Sequence, residues 1–322
     1  MVTYIARRVL YSIPVLIFST FLSFVFVSLA GDPRQNLLAN PRLSRANYDR
    51  LFHTYHLDAS IPVRYWYWVE DAFMHKLGRS LATSQAIWPD LTRVMGHTAQ
   101  LIAIAEVIAL VLGLAVGIFS AVRQYSIFDY LFTSVSFLGF AMPTFWLALL
   151  LQIVFVDIYL KWHVRIFYTS GLNNGVSSNT WSVDRLQHLA LPVVTLSVIS
   201  FALYSRFVRA AMLDVISTDY VRTARAKGLP ERIVIMRHVF RNALIPVITV
   251  AALNLGGLLG GAIVTETVFS IDGMGFYFIT KLGQLDVYAV MAYLAVTSVI
   301  IIGFNLVADI LYGYLDPRIR YD

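Results

Sequence analysis

The sequence predicts an all-α polytopic membrane protein with six transmembrane helices, and three observations carry that prediction. The 322 residues are 58% hydrophobic and only 14% charged. Their mean hydropathy of +0.68 is more apolar surface than one soluble core hides. Six apolar runs, 9–30, 99–121, 130–158, 189–212, 243–265 and 288–312, are each long enough to cross roughly 30 Å of hydrocarbon as a helix of about 20 residues. The lysines and arginines fall between those runs, with a dense basic stretch in one loop. In a soluble domain a net charge of +6 would suggest nucleic acid. Membrane topology explains it here, and no nucleic-acid partner is expected. The absence of cysteine leaves neither a disulfide framework nor a thiolate metal site.

The elements follow in chain order. Residues 1–30 are an N-terminal transmembrane helix. Arg7 and Arg8 precede the apolar run and Ser28-Leu29-Ala30 looks cleavable, but the run is too long for a signal-peptide core. Residues 31–97 form an extracytoplasmic helical segment. Its "VRYWYWVEDAFMHKLG" sets Tyr65, Trp68 or Val69, Ala72 and Lys76 at helical spacing beside Trp66 and Tyr67, an aromatic density suited to a cap at the membrane interface. Residues 98–322 form a five-helix core with a cytoplasmic loop at about 213–242. Pro143 is expected to kink the third span rather than end it. Gly113 with Gly117, Gly256 with Gly260 and Gly257 with Gly261 permit close helix contact, within the subunit or at a seam with another.

Orientation follows from the basic residues. With the N-terminus inside, the inner face carries Arg7, Arg8, Arg123, the loop from Arg206 to Arg241, and Arg318 with Arg320. Six spans return both termini to the cytoplasm. Polar groups within spans need a reason, since a charge at the centre of hydrocarbon costs about 2.5–3.5 kcal/mol on insertion scales. Asp157, Glu266 and Asp309 lie near span ends, where their carboxylates are expected to reach water. Glu106 sits deeper. It lines a cavity, attracts a cationic group such as a peptide amino terminus, or pairs with a neighbouring helix, and Asn254 is a second candidate cavity residue. Outside the spans, "ETVFSIDGMGFYFITKLGQLD" (266–286) is an external turn in which Gly273 and Gly275 allow a tight re-entrant bend beside Glu266 and Asp272.

The basic loop "STDYVRTARAKGLPERIVIMRHVFRNALIP" (217–246) is more than a topology signal. Ser217 or Thr218 suits an N-cap, Asp219 the positive helix end, and Arg225 with Lys227 the negative end. Gly228 supplies a left-handed stop. Pro230 then fits the first position of a second helix with Glu231 in its first turn. This helix–Gly–x–Pro–helix elbow is a docking site for a protein partner.

Here the residues resemble a family. "YVRTARAKGL" followed by "RHVFRNALIP" is similar to the coupling motif of permease subunits of bacterial ABC importers, in its dipeptide and oligopeptide variant. The general motif reads Glu-Ala-Ala, three residues, Gly. Here Arg222 and Thr223 replace its first two residues, while Ala224 and Gly228 are retained. "ARRVLYSIPVLIFS", "GDP" at 31–33, "YHLDASIPVRYWYW", "MPTFWLALLLQIVF" and "DPRIR" extend the resemblance over nearly the whole chain. Lys76, where an Asp is usual, and Asp272, where a Pro is usual, depart from it. The resemblance implies a type I ABC importer permease fold in the bacterial inner membrane, with Asp219, Arg222, Thr223, Ala224, Lys227, Gly228, Leu229 and Pro230 contacting an ATPase. It also implies a second, homologous permease subunit, two ATPase subunits and an extracytoplasmic substrate-binding protein. No cofactor is expected on this chain; ATP and Mg belong to the ATPases.

Other chemistry finds little footing. No G-x-x-x-x-G-K-[ST], H-E-x-x-H or G-x-S-x-G occurs. His53 and His56, read as neighbours on an outer helix, have no carboxylate at ligand spacing. An ion-gradient-driven secondary transporter remains the alternative, with Glu106 as its one well-placed carboxylate. A membrane subunit with no transport cycle is the third reading.

Overall fold

The structure is a computed structural model that describes residues 2–30, 48–49, 52–53, 56–74, 77–174 and 181–315. The described residues are almost wholly helical: α1 (Val2–Ala30), α2 (Ile61–Met74), α3 (Ile87–Val122), α4 (Ile127–Ala141), α5 (Thr144–Trp162), α6 (Val183–Ile216) and α7 (Asp219–Ala226) lead to a short turn, α8 (Glu231–Ile233). A π-helical stretch, π1 (Val234–Phe240), then runs into α9 (Arg241–Leu259), followed by α10 (Ile263–Val268), α11 (Met274–Gly283) and α12 (Val287–Leu315). Six described helices are long and apolar enough to cross a membrane: Ile5–Leu29, Ile87–Val122, Thr144–Trp162, Val183–Ile216, Glu231–Leu259 and Val287–Gly313.

Two of the six apolar runs are divided. The third is two helices rather than one kinked span. Met142, pushed out of the helical region by the proline after it, adopts φ −76, ψ 124, and Pro143 becomes the N-cap of α5. The missing N–H of proline costs nothing at a position whose N–H has no intrahelical partner. The fifth run stops at Leu259, and Gly261 turns at φ +130 before α10 begins. His56 lies in a turn at φ +49 and stacks on Tyr67, not on a helix beside His53.

The chain divides into two compact units. The first comprises residues 1–98, 259–263 and 272–303. Its core gathers Phe24 from α1, Trp68 from α2, Leu91 from α3, Met274 from α11 and Met291 from α12. Tyr65 packs edge-on against Phe21 (5.2 Å) and Phe24 (5.7 Å), and its hydroxyl meets Thr20 Oγ1 at 2.9 Å. Tyr65, Trp68, Val69 and Ala72 thus form the inner stripe that their spacing predicts, while Lys76, the "GDP" at 31–33 and "DPRIR" lie outside the described residues. Asp286, fully buried, caps α12 by accepting from Ala289 N (3.3 Å). It also pins the 77–86 segment through Leu81 N (3.0 Å) and Ser80 Oγ.

The second unit comprises residues 99–258, 264–271 and 304–322. Here α3 and α6 meet at glycines: a Cβ on Gly113 would stand 2.7 Å from Tyr204 Cβ, and one on Gly117 2.6 Å from Val208 Cβ. Gly256 admits Phe304 in the same way, at 2.6 Å, whereas nothing crowds Gly257. These small residues therefore serve packing within the subunit. At one end of α4 and α6, Arg209 forms a bidentate ion pair with Asp129, both contacts at 3.0 Å.

Candidate functional site

The elbow begins where α6 ends at Ile216. Thr218 stands at the N-cap of α7 in extended conformation, but its hydroxyl donates back to Val215 O (2.7 Å) and accepts from no free N–H of α7. Asp219 lies in the first turn and pairs with Arg222 at 3.6 Å. Thr223 Oγ1 donates to Asp219 O at 2.9 Å. Val221 and Ala224 are the inner stripe of this eight-residue helix, seated on Met212, Val234, Ile235, Val239 and Ala243. That apolar floor fixes a helix too short to be stable alone.

The other face of the elbow is exposed. Arg222, Thr223, Lys227, Gly228, Leu229 and Pro230 are all exposed. Gly228 sits at φ +76 and closes the helix with a bond from its N–H to Arg225 O (2.9 Å). Pro230 is the N-cap of the next turn, one place earlier than its expected first helical position, and its carbonyl accepts from Ile233 N (2.8 Å) and Val234 N (3.1 Å). Across this corner Arg225 grips Glu231 with Nε at 3.1 Å and Nη2 at 2.8 Å. The hydrogen bonds to Glu231 outweigh partial desolvation and, with its charge adding to them, hold the Arg225 guanidinium above the ordinary arginine range. Sequence reasoning assigned Arg225 only to the helix end. The signal for its partner was Glu231 just beyond a Gly-x-Pro corner, where the chain reverses. A further clasp joins Asn242 Nδ2 to the Tyr220 hydroxyl at 3.0 Å.

Glu106 and Asn254 are brought together. Ser200 Oγ and the Tyr204 hydroxyl donate to the Glu106 carboxylate, and Asn254 Nδ2 donates to Glu106 (3.2 Å), Ser200 Oγ (3.3 Å) and Tyr204 (3.0 Å). The cluster ties α3, α6 and α9, the two helices flanking the elbow among them. Glu106 is only 5% exposed, so of its three possible roles the geometry displays helix pairing.

The 266–286 turn, expected to be external, is more ordered than a plain loop. Asp272 pairs with Arg93, its carbonyl meets His97 Nδ1 (2.7 Å), and Met274 N donates to Thr98 Oγ1 (2.7 Å). Gly273 caps α11 in an extended conformation any residue adopts. Gly275 lies inside α11, where a Cβ would stand 2.6 Å from Ile263 Cα. Gly273 thus caps a helix and Gly275 permits a close crossing. Glu266 does not reach water: it is fully buried in α10, whereas Asp157 is half-exposed and paired with Lys161 at 2.7 Å.

An all-α, multi-pass arrangement with an ordered elbow between two of its spans is the fold of an ABC transporter permease. A solved amino acid ABC transporter with histidines superposes at a TM-score of 0.52 over 70% of this chain and 94% of its own, at 12% identity, a likeness of fold alone. The chain belongs to the family of binding-protein-dependent transport system inner membrane components, which matches residues 113–321. It is 37% identical to the oligopeptide transport system permease AppB of Bacillus subtilis, with all of both chains aligned. Identity is also 37% to the dipeptide permease DppB of Alkalihalophilus pseudofirmus, again over all of both chains. It is 35% to the di/tripeptide permease DppB of Pseudomonas aeruginosa, over 100% of this chain and 99% of that one. The chain is a multi-pass inner membrane protein of this class.

Proposed function

We propose that this chain is one permease subunit of an ATP-driven importer of dipeptides or oligopeptides, forming half of the translocation pathway. The observation that carries the reading is the elbow: a charged, exposed face on a helix clamped to the ends of two spans. ATPase subunits binding Asp219, Arg222, Thr223 and the 227–230 corner would move α7, and the packed floor under it, on which Ala224 is buried instead of facing a partner, would pass that motion to α6 and α9. Asn254 on α9, with Ser200 and Tyr204 on α6, holds Glu106 of α3, so motion of α6 and α9 would reach the pathway wall through this cluster. The turn at Glu266, Asp272, Gly273 and Gly275 faces the binding protein that delivers the peptide. A second, homologous permease and two ATPases complete the assembly, with ATP and Mg on the ATPases, and both termini lie in the cytoplasm.

Family membership and full-length relatives named as peptide permeases support this over a gradient-driven carrier. The test is uptake of a labelled dipeptide and a labelled pentapeptide by proteoliposomes holding the complex purified through this chain. We expect uptake that requires ATP and binding protein and persists when the proton gradient is collapsed. Uptake abolished by gradient collapse while ATP remains would overturn the reading.

A further inference from the structure

We propose that the groove between α4 and α6, at the end of these helices nearer the elbow, holds an anionic phospholipid. Its phosphate would lie on Arg206 and an acyl chain along Phe137 and Phe140. The groove encloses about 420 Å³ and is walled by α3, α4 and α6. Arg206 is exposed into it, its guanidinium carbon 4.6 Å from the centre of the Phe137 ring and 5.0 Å from that of Phe140. Unlike Arg209 one turn on, which Asp129 neutralises, Arg206 has no acceptor or carboxylate partner among the described residues. The rings offset part of its charge but accept none of its N–H groups.

A second group in the same groove lacks a partner. Ser120, on α3, is 2% exposed and lines the groove, and its hydroxyl makes no hydrogen bond. Arginine N–H groups and a spare serine hydroxyl ask for one thing, an anion with several acceptor oxygens. Of the other polar residues lining it, Thr133, Ser136, Ser205 and Arg209 are already hydrogen-bonded within the protein, and the rest of the wall, such as Phe132, Leu203 and Phe207, is apolar and asks for a hydrocarbon chain. α6 is one of the six helices long enough to cross a membrane and α4 a shorter apolar one; in a bilayer a bare guanidinium between them would find little water. A phospholipid supplies the charge, the acceptors and the chain in one molecule already present at high concentration, and basic pockets between spans are where anionic headgroups settle. This rests only on α4 and α6 being in a bilayer, so it stands or fails independently of the cargo.

The test uses the full complex in nanodiscs of equal phosphatidylglycerol and phosphatidylcholine, with retained lipids counted by native mass spectrometry. Phosphatidylglycerol is expected to be retained over phosphatidylcholine, and Arg206→Gln to lower that retention about fivefold, one basic side chain's share of anionic-lipid attraction. Arg206→Lys should keep most of it. Equal retention by Arg206→Gln, or no preference between the lipids, would overturn the proposal. In a second arm p-benzoylphenylalanine replaces Phe137 with Arg206 intact, so that arm does not depend on the Gln variant assembling. Crosslinks to lipid support the site, and crosslinks only to another subunit overturn it.

Discussion

Gly228 shows how a single backbone angle governs the elbow. A Cβ there meets nothing within 4 Å, so a larger residue fits the space and is resisted only by φ +76, a strain of about 1–2 kcal/mol for an L-residue. Gly228→Val should therefore insert normally yet bind ATPase subunits poorly. The measurement is ATPase recovered per permease in a pull-down, and undiminished recovery would remove Gly228 from the coupling role. Glu106 is the opposite case, a residue whose surroundings matter more than its own shape. Glu106→Leu leaves Ser200, Tyr204 and Asn254 without their common acceptor, and each orphaned buried donor costs about 1–3 kcal/mol. The detergent-solubilised complex should melt lower in Glu106→Leu than in Glu106→Gln, whose amide oxygen still accepts. Gly228 was legible in the sequence because a left-handed stop has a residue signature. The cage around Glu106 was not, since its donors lie 94, 98 and 148 positions away in the chain.

At the scale of elements, capping and stop signals marked α7 and its reversal, while element ends elsewhere escaped. Pro143 broke the third span because its constraint falls on Met142 before it, and that constraint is easily missed when a long apolar run favours one helix. The paired glycines of 266–286 suggest a bend, but that Gly275 makes room for Ile263 has no signature in the sequence. The separation of Arg225 and Glu231 alone does not disclose their clasp; the signal is the Gly228–Pro230 corner between them, which reverses the chain. Their side chains are 38% and 57% exposed, so a double-mutant cycle with Arg225→Ala and Glu231→Ala should give a coupling below about 1 kcal/mol in stability. The larger effect should be on amide exchange across 226–234, faster in either single variant. A coupling well above that limit would mean the pair is shielded by something else in the assembly.

For the whole molecule, the six-span fold was legible from hydropathy alone because no other way exists to hide this much apolar surface. Its division into two units was not, since both α3 and α12 run through each of them and no composition change marks the crossing. Orientation can be measured directly, because a chain without cysteine accepts a single reporter thiol. Thr83→Cys and Lys227→Cys both sit at exposed positions. A membrane-impermeant maleimide applied to intact spheroplasts should label the first and reach the second only after permeabilisation. The reverse pattern would turn the molecule over and put the elbow out of reach of ATP.

The π-helical stretch Val234–Phe240 has a consequence for length. In such a stretch each hydrogen bond closes one residue later than in an α-helix, so the chain carries a spare residue between the corner and α9. One residue removed here restores an α-helix, whereas one removed within α9 turns everything beyond it by about 100°. Relatives that gain or lose a single position near the elbow can therefore take up the change in this stretch while the buried stripe of α9 keeps its register.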